Sequence, residues 1–79
     1  MKYVYILQSI SFTEKFYVGS TNDLKRRFAE HNHGKSIHTN KHMPWKLKTY
    51  IAFSDEQKAF EFERYLKTSS GRAFAKKRL

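Results

Sequence analysis

Tyr5, Tyr17, Arg27, His31 and Glu63 supply, in that order along the chain, two phenols, a guanidinium, an imidazole and a carboxylate. A phenol has a pKa near ~10 and is a weak base at neutral pH unless nearby cations favour the phenolate. A guanidinium offers a planar fork that matches phosphate oxygens, where a Lys substitutes poorly. An imidazole trades protons near neutrality. A carboxylate set among bases can hold a divalent metal at a phosphate. A Tyr in a strand is, taken alone, only a good β-former. The ordered company is what singles these residues out: Tyr5, then Tyr17-Val18-Gly19, then Arg27 eight residues after the Gly, then His31, then Glu63.

The charge around them favours a polyanion. The chain has 79 residues, 16 Lys and Arg against seven Asp and Glu, and a net charge of +9. Residues 31–54 carry Lys35, Lys41, Lys46, Lys48 and all four histidines with no acid, and residues 64–79 carry six bases with no acid. Between these blocks sit Asp55, Glu56, Glu61 and Glu63. Asp55 and Glu56 suit a helix N-terminus, where they offset the macrodipole, but Glu63 lies too deep in its segment for that role. A phosphate backbone rewards clustered bases by counterion release, so nucleic acid is the expected partner. The length predicts one domain, 1–79, with a modest core. With no cysteine there is no disulfide framework and no thiol catalysis. Aromatics at 16% argue against a disordered basic tail. No apolar run is long enough to span a membrane and no cleavable signal is evident, so the expected location is the cytoplasm.

The elements that must position these groups are readable in outline. Residues 2–8 and 15–19 are aromatic and β-branched and predict two strands joined as a hairpin. One simple register packs Val4, Ile6, Phe16 and Val18 together and leaves Tyr5 and Tyr17 as neighbours on the other face. Ser20 to Asp23 offers N-cap oxygens for a helix from Leu24 to His31, with Leu24 and Phe28 on its apolar edge and Arg27 and His31 on an adjoining row. Residues 32–44 read mostly as loop, with room for a short helical piece. Trp45 to Phe53 alternates loosely and predicts a third strand. Ser54 or Asp55 caps a second helix reaching about Lys67, with Ala59, Phe62 and Leu66 at helical spacing and Glu63 inside that stripe. Ser69-Ser70-Gly71 then breaks the helix, and Arg72 to Arg78 forms a last basic helix anchored by Phe74. The order is β-β-α-β-α-α.

From about Tyr3 to Lys77 this pattern resembles the GIY-YIG nuclease domain, in its small stand-alone bacterial branch. Tyr3-Val4-Tyr5 stands at the family's first motif and Tyr17-Val18-Gly19 at its second. The stretch from Gly19 to Asn32 looks like the helix with the essential Arg, and Ala59 to Lys67 like the helix with the metal-binding Glu. The resemblance implies an α+β fold, a three-stranded antiparallel sheet packed with three to four helices. It also implies an endonuclease hydrolysing DNA phosphodiester bonds in repair or recombination. Such hydrolysis needs an aligned water, charge neutralisation and help for the leaving oxygen. By resemblance, Tyr17 orients or deprotonates the water and Tyr5 hydrogen-bonds beside it. Arg27 grips non-bridging oxygens, and His31 shares proton work or holds the phosphate. Glu63 holds one Mg²⁺ or Mn²⁺ that stabilises the leaving 3′ oxygen. Three departures are visible, and in the first two Tyr3 replaces the Gly of the first motif and Ser20 stands where the excision-repair branch often has Lys. The family's Asn after the last helix is not found before Leu79.

Arg26, Lys35, Lys67, Arg72, Lys76 and Lys77 are the expected nucleic-acid contacts. Gly71-Arg72 with Lys76 and Lys77 reads equally as a phosphate-binding helix start or as a solvated basic helix. His31-Asn32-His33 spells a nuclease signature by accident, since that signature is dispersed in real cases. His33, His38 and His42 are expected in solvent, and Trp45 in the core. The expected substrate is single-stranded, flapped or branched DNA, with a homodimer or partner protein as a possible helper. The alternatives are a nucleic-acid-binding module with weak or lost catalysis and, third, a basic protein-interaction domain.

Overall fold

The computed structural model describes residues 1–79. Strands β1 (Lys2–Ser9) and β2 (Phe16–Thr21) are followed by helix α1 (Leu24–Asn32) and a 3₁₀ turn at Asn40–His42. Strand β3 (Trp45–Phe53) and helices α2 (Glu56–Leu66) and α3 (Ser69–Arg78) complete the chain. The strands form one antiparallel sheet in the order β2-β1-β3. This is the expected α+β fold in the expected order. No helix is long and apolar enough to cross a membrane.

The central place of β1 follows from its side chains. Val4, Tyr5, Ile6 and Leu7 are buried in succession, so this strand needs cover on both faces. Val4 and Ile6 pack against Ala59 and Leu66 of α2, with Val18, Phe53 and Phe62 around them. On the other face Tyr5 and Leu7 pack with Trp45, with Leu24 and Phe28 of α1 and with Tyr17. Asp23 caps α1 by accepting from the Arg26 N–H, and Asp55 caps α2 by accepting from the Gln57 and Lys58 N–H groups.

Three local expectations are corrected. Phe16 is half exposed, because its partner on β1 is Gln8 and it lies beyond the apolar cluster that holds Val4, Ile6 and Val18. In β3, Ile6 pairs with Thr49 but Leu7 pairs with Leu47, so Lys48 is an extra residue. Strict alternation would aim Trp45, Leu47, Ile51 and Phe53 at one face. The bulge instead sends Trp45 and Leu47 to the α1 side and Phe53 to the α2 side, which serves both halves of the core. Finally, Ser69-Ser70-Gly71 is the first turn of α3 rather than a breaker. Thr68 caps that turn with its hydroxyl, which accepts from the Gly71 N–H. A Cβ on Gly71 would fall 1.8 Å from the Tyr65 carbonyl oxygen, so only Gly lets α3 pack this closely on the end of α2. With the Gly71 N–H taken and the residue buried, Gly71-Arg72 is not an open phosphate cradle.

Candidate functional site

The site is built around β2, an outer strand of the sheet. β2 runs two residues further than expected, to Thr21, because Ser20 and Thr21 pair with Val4 and Tyr3. Tyr17 and Gly19 therefore face α1, while Ser20 faces α2. Gly19 lies directly across from Tyr5. A Cβ on Gly19 would sit 2.6 Å from the Tyr5 hydroxyl oxygen and 3.0 Å from the Tyr17 ring. The missing side chain is the space through which the Tyr5 ring reaches toward the sheet edge. Both phenols thus converge as the alternation implied, with ring centroids 6.4 Å apart.

His31 comes to the same place from the end of α1. Its ring lies 5.0 Å from that of Tyr17 and 5.8 Å from that of Tyr5. It is fully buried, and both nitrogens are engaged: Nε2 lies 2.8 Å from the Tyr5 hydroxyl and Nδ1 2.7 Å from Thr39 Oγ1. Burial pushes the Tyr5 phenol up to about 12, with Tyr17 adding to the effect and Arg27 opposing it. Burial, helped by the Arg27 charge, pushes His31 down to about 4. A protonated phenol and a neutral imidazole fit one chain of donors: Tyr5 O–H to Nε2, then Nδ1–H to Thr39 Oγ1. The Thr39 carbonyl in turn accepts from the Trp45 indole N–H. Asn32 clamps the Trp45 backbone by donating to its carbonyl and accepting from its N–H. The loop after α1 is thereby tied to β3, and Tyr5 is held rigidly from behind.

This burial makes a pH prediction. His31 binds a proton near pH 6.5 when unfolded but only near pH 4 when folded, so its stabilising effect is complete above pH 6.5 and is lost as pH falls. Folding stability is expected to drop by about 2 kcal/mol between pH 8 and pH 5, above the range where carboxylates titrate. Urea midpoints at the two pH values measure it, and His31→Gln should flatten the difference. An NMR titration of His31 near 6.5 in the folded protein would contradict it.

In contrast to Tyr5, Tyr17 is only half-buried and no protein group hydrogen-bonds its hydroxyl. Arg27 is half-buried on α1, where Nη1 donates to Glu30 Oε1 at 2.9 Å. That hydrogen bond raises the Arg27 pKa and draws the Glu30 carboxyl below its usual range. Arg27 is near enough to the Tyr5 hydroxyl to lower its pKa, and Glu63 near enough to raise it.

Glu63 reaches the site from α2, on the other side of β2. Ser20 Oγ donates to its Oε1 at 2.6 Å, and Lys67 Nζ donates to its Oε2 at 3.0 Å. Burial alone would raise the carboxyl pKa, but the Ser20 and Lys67 hydrogen bonds outweigh it and hold Glu63 below the ordinary range. Glu63 is the carboxylate whose charge acts on Tyr5, and no group of three or more His, Cys, Asp or Glu side chains that could hold a metal ion is formed.

Of the expected nucleic-acid contacts, Lys67 lies in the site beside Glu63. Arg26 stands on α1 and pairs weakly with Asp23 at 3.9 Å. Lys35, Arg72, Lys76 and Lys77 are exposed without ion-pair partners, on the loop after α1 and along α3. Of the loop histidines, His33 and His38 are exposed, but His42 is half-buried with its ring edge-on to Phe12 and Trp45. The sequence offers Ser20 only as a helix cap and as a departure from the family, and it gives Glu30, Asn32 and Thr39 no role. Glu30 had a signal, since an acid three residues after Arg27 on a helix is a pairing position. The other three act across loops or between elements, and nothing local marks them.

A family model described as the GIY-YIG catalytic domain matches residues 1–78. A UPF0213 protein of Streptococcus pyogenes serotype M3 is 35% identical over 72 residues, covering 90% of this chain and 76% of that protein. Another, from Streptococcus agalactiae serotype V, is 36% identical over 72 residues, 90% of this chain and 80% of its own. The solution NMR structure of a UPF0213 protein from Bacillus halodurans shares the fold with a TM-score of 0.57 and 32% identity, over 96% of this chain and 81% of that one. The match runs through every element from β1 to α3, and the chain therefore belongs to the GIY-YIG family of catalytic domains, a family of nuclease type.

Proposed function

We propose that this protein is a divalent-metal-dependent endonuclease that hydrolyses phosphodiester bonds in DNA. Its 79 residues act as one nuclease domain, and its setting is DNA repair or recombination in the cytoplasm. The observation that carries the reading is the meeting, around β2, of an accessible phenol, a guanidinium and an ionised carboxylate on a protein of charge +9. Tyr17, with its free hydroxyl, orients and polarises the attacking water. Tyr5, held protonated by its burial and backed by His31, is a hydrogen-bond donor frame rather than a base. His31 is accordingly a positioning residue, since its nitrogens are both occupied within the protein. Arg27, oriented by Glu30, binds the non-bridging oxygens of the scissile phosphate.

The residues fit one hard cation. Glu63 is ionised, hard in its oxygen donors and pinned at Oε1 by Ser20, and a single carboxylate completed by waters and phosphate is an ordinary Mg²⁺ or Mn²⁺ arrangement. When bound, the metal supplies charge neutralisation for the leaving 3′ oxygen. Arg26, Lys35, Lys67, Arg72, Lys76 and Lys77 supply the salt-sensitive grip on the backbone.

Labelled single-stranded, flapped and branched DNA, incubated with Mg²⁺ or Mn²⁺ and with EDTA in parallel, tests the proposal. Metal-dependent cuts leaving 5′-phosphate ends are expected. DNA that is shifted but never cut would replace the enzyme with a binding module, and DNA neither cut nor shifted would remove DNA as the partner and leave RNA or a protein.

A further inference from the structure

Both oxygens of Glu63 are already engaged, by partners of different kinds. Ser20 is neutral and fixed by its place in β2, where it pairs with Val4. Lys67 is a cation on a flexible stem at the C-terminal cap of α2. Its side chain is 53% exposed, against 18% for Glu63. One carboxylate oxygen therefore has a fixed donor, and the other has a replaceable positive charge with open solvent beside it.

We propose that Lys67 is a resident counter-ion that occupies the metal position at Glu63 until a substrate phosphate draws it away. This deepens the reading of Glu63 as the metal residue and rests on it. A dication and the Lys67 ammonium compete for Oε2, because two cations on one carboxylate oxygen repel each other even in near-aqueous surroundings. The ammonium must leave, and a nearby phosphate is the anion that can receive it. Metal and DNA then bind cooperatively, each raising the affinity of the other by one common factor. The free protein holds metal weakly and becomes loaded on its substrate.

The test measures Mn²⁺ binding to the full chain without DNA at low ionic strength, by the loss of the free-ion electron paramagnetic resonance signal. Lys67→Met keeps the stem and removes the charge. An exposed i,i+4 pair adds little to helix stability, so this variant is expected to fold. It should bind Mn²⁺ about tenfold more tightly than the wild type. Lys67→Arg, which keeps the charge, should stay at the wild-type level. Lys46→Met removes the same charge from exposed β3 and should also stay there. Glu63→Gln should lose the site. Equal Mn²⁺ affinity in Lys67→Met and wild type, with the site still lost in Glu63→Gln, would overturn the counter-ion role and leave the metal reading standing. Equal tightening in Lys46→Met would also overturn it. If Glu63→Gln binds Mn²⁺ as well as the wild type, Glu63 is not the metal residue and both readings fall together.

Discussion

Glu63→Gln is expected to reduce single-turnover cleavage at least ~1000-fold while DNA binding persists, the scale of losing several kcal/mol of metal-assisted stabilisation. The substitution is close to isosteric. The amide oxygen still accepts from Ser20, so the hydrogen bond at Oε1 has a successor. What disappears is the negative charge proposed to hold a metal ion, and with it the pairing with Lys67. The net charge rises from +9 to +10, so binding to a phosphate backbone measured without divalent metal should be as tight or slightly tighter. Filter binding and single-turnover cleavage on the same DNA separate the two effects. Cleavage near the wild-type rate would remove Glu63 from the mechanism. Loss of binding together with cleavage would show that the residue supports the fold instead.

The second large effect falls on Tyr17 and Arg27, the pair proposed to face the scissile phosphate. Tyr17→Phe and Arg27→Ala are each expected to slow cleavage at least ~100-fold at saturating protein. Tyr17→Phe is the cleaner change. It keeps the ring against His31 and Tyr5 and removes only a hydroxyl that no protein group uses, so thermal stability should hardly move. Arg27→Ala removes the fork proposed to meet the phosphate and also frees Glu30 from its partner. Both sides of that ion pair are about one third exposed, so its own contribution to stability is small. Arg27→Lys should recover little of the rate, because a point charge does not reproduce the planar fork. A Tyr17→Phe protein that cleaves normally would move the water-orienting role away from this phenol.

How far the sequence alone carries is best judged element by element. The hairpin, the helix starting at Leu24, the strand from Trp45 and the helix after Asp55 all rest on local rules. Alternation, turn residues and capping side chains act over a few residues and are written in the chain. Tyr5, Tyr17, Arg27 and Glu63 were candidates by their types and order and by resemblance to the family, and the fold gathers them around β2. Boundaries failed where a distant partner decided them. β2 extends to Thr21 because β1 is there to pair with it. Gly71 reads as a breaker until α2 is placed against it, and only then does the Tyr65 carbonyl explain why the position must lack a side chain.

The same division runs through the site. Phenols, guanidinium and carboxylate are properties of residues, so the sequence determined which chemistry is available and, by its excess of bases, the positive charge of the protein. Protonation and orientation are properties of surroundings. That Tyr5 is a protonated frame and Tyr17 the free phenol depends on which of the two is buried against His31. That His31 stays neutral depends on its enclosure beside Arg27, with Thr39 engaging its other nitrogen. That Glu63 is ionised and aimed depends on Ser20, 43 residues away in sequence and brought to it by the sheet. Local patterns name the groups because backbone preference and side-chain type are short-range. Tertiary structure decided their states, because desolvation and hydrogen bonding depend on neighbours that only folding supplies.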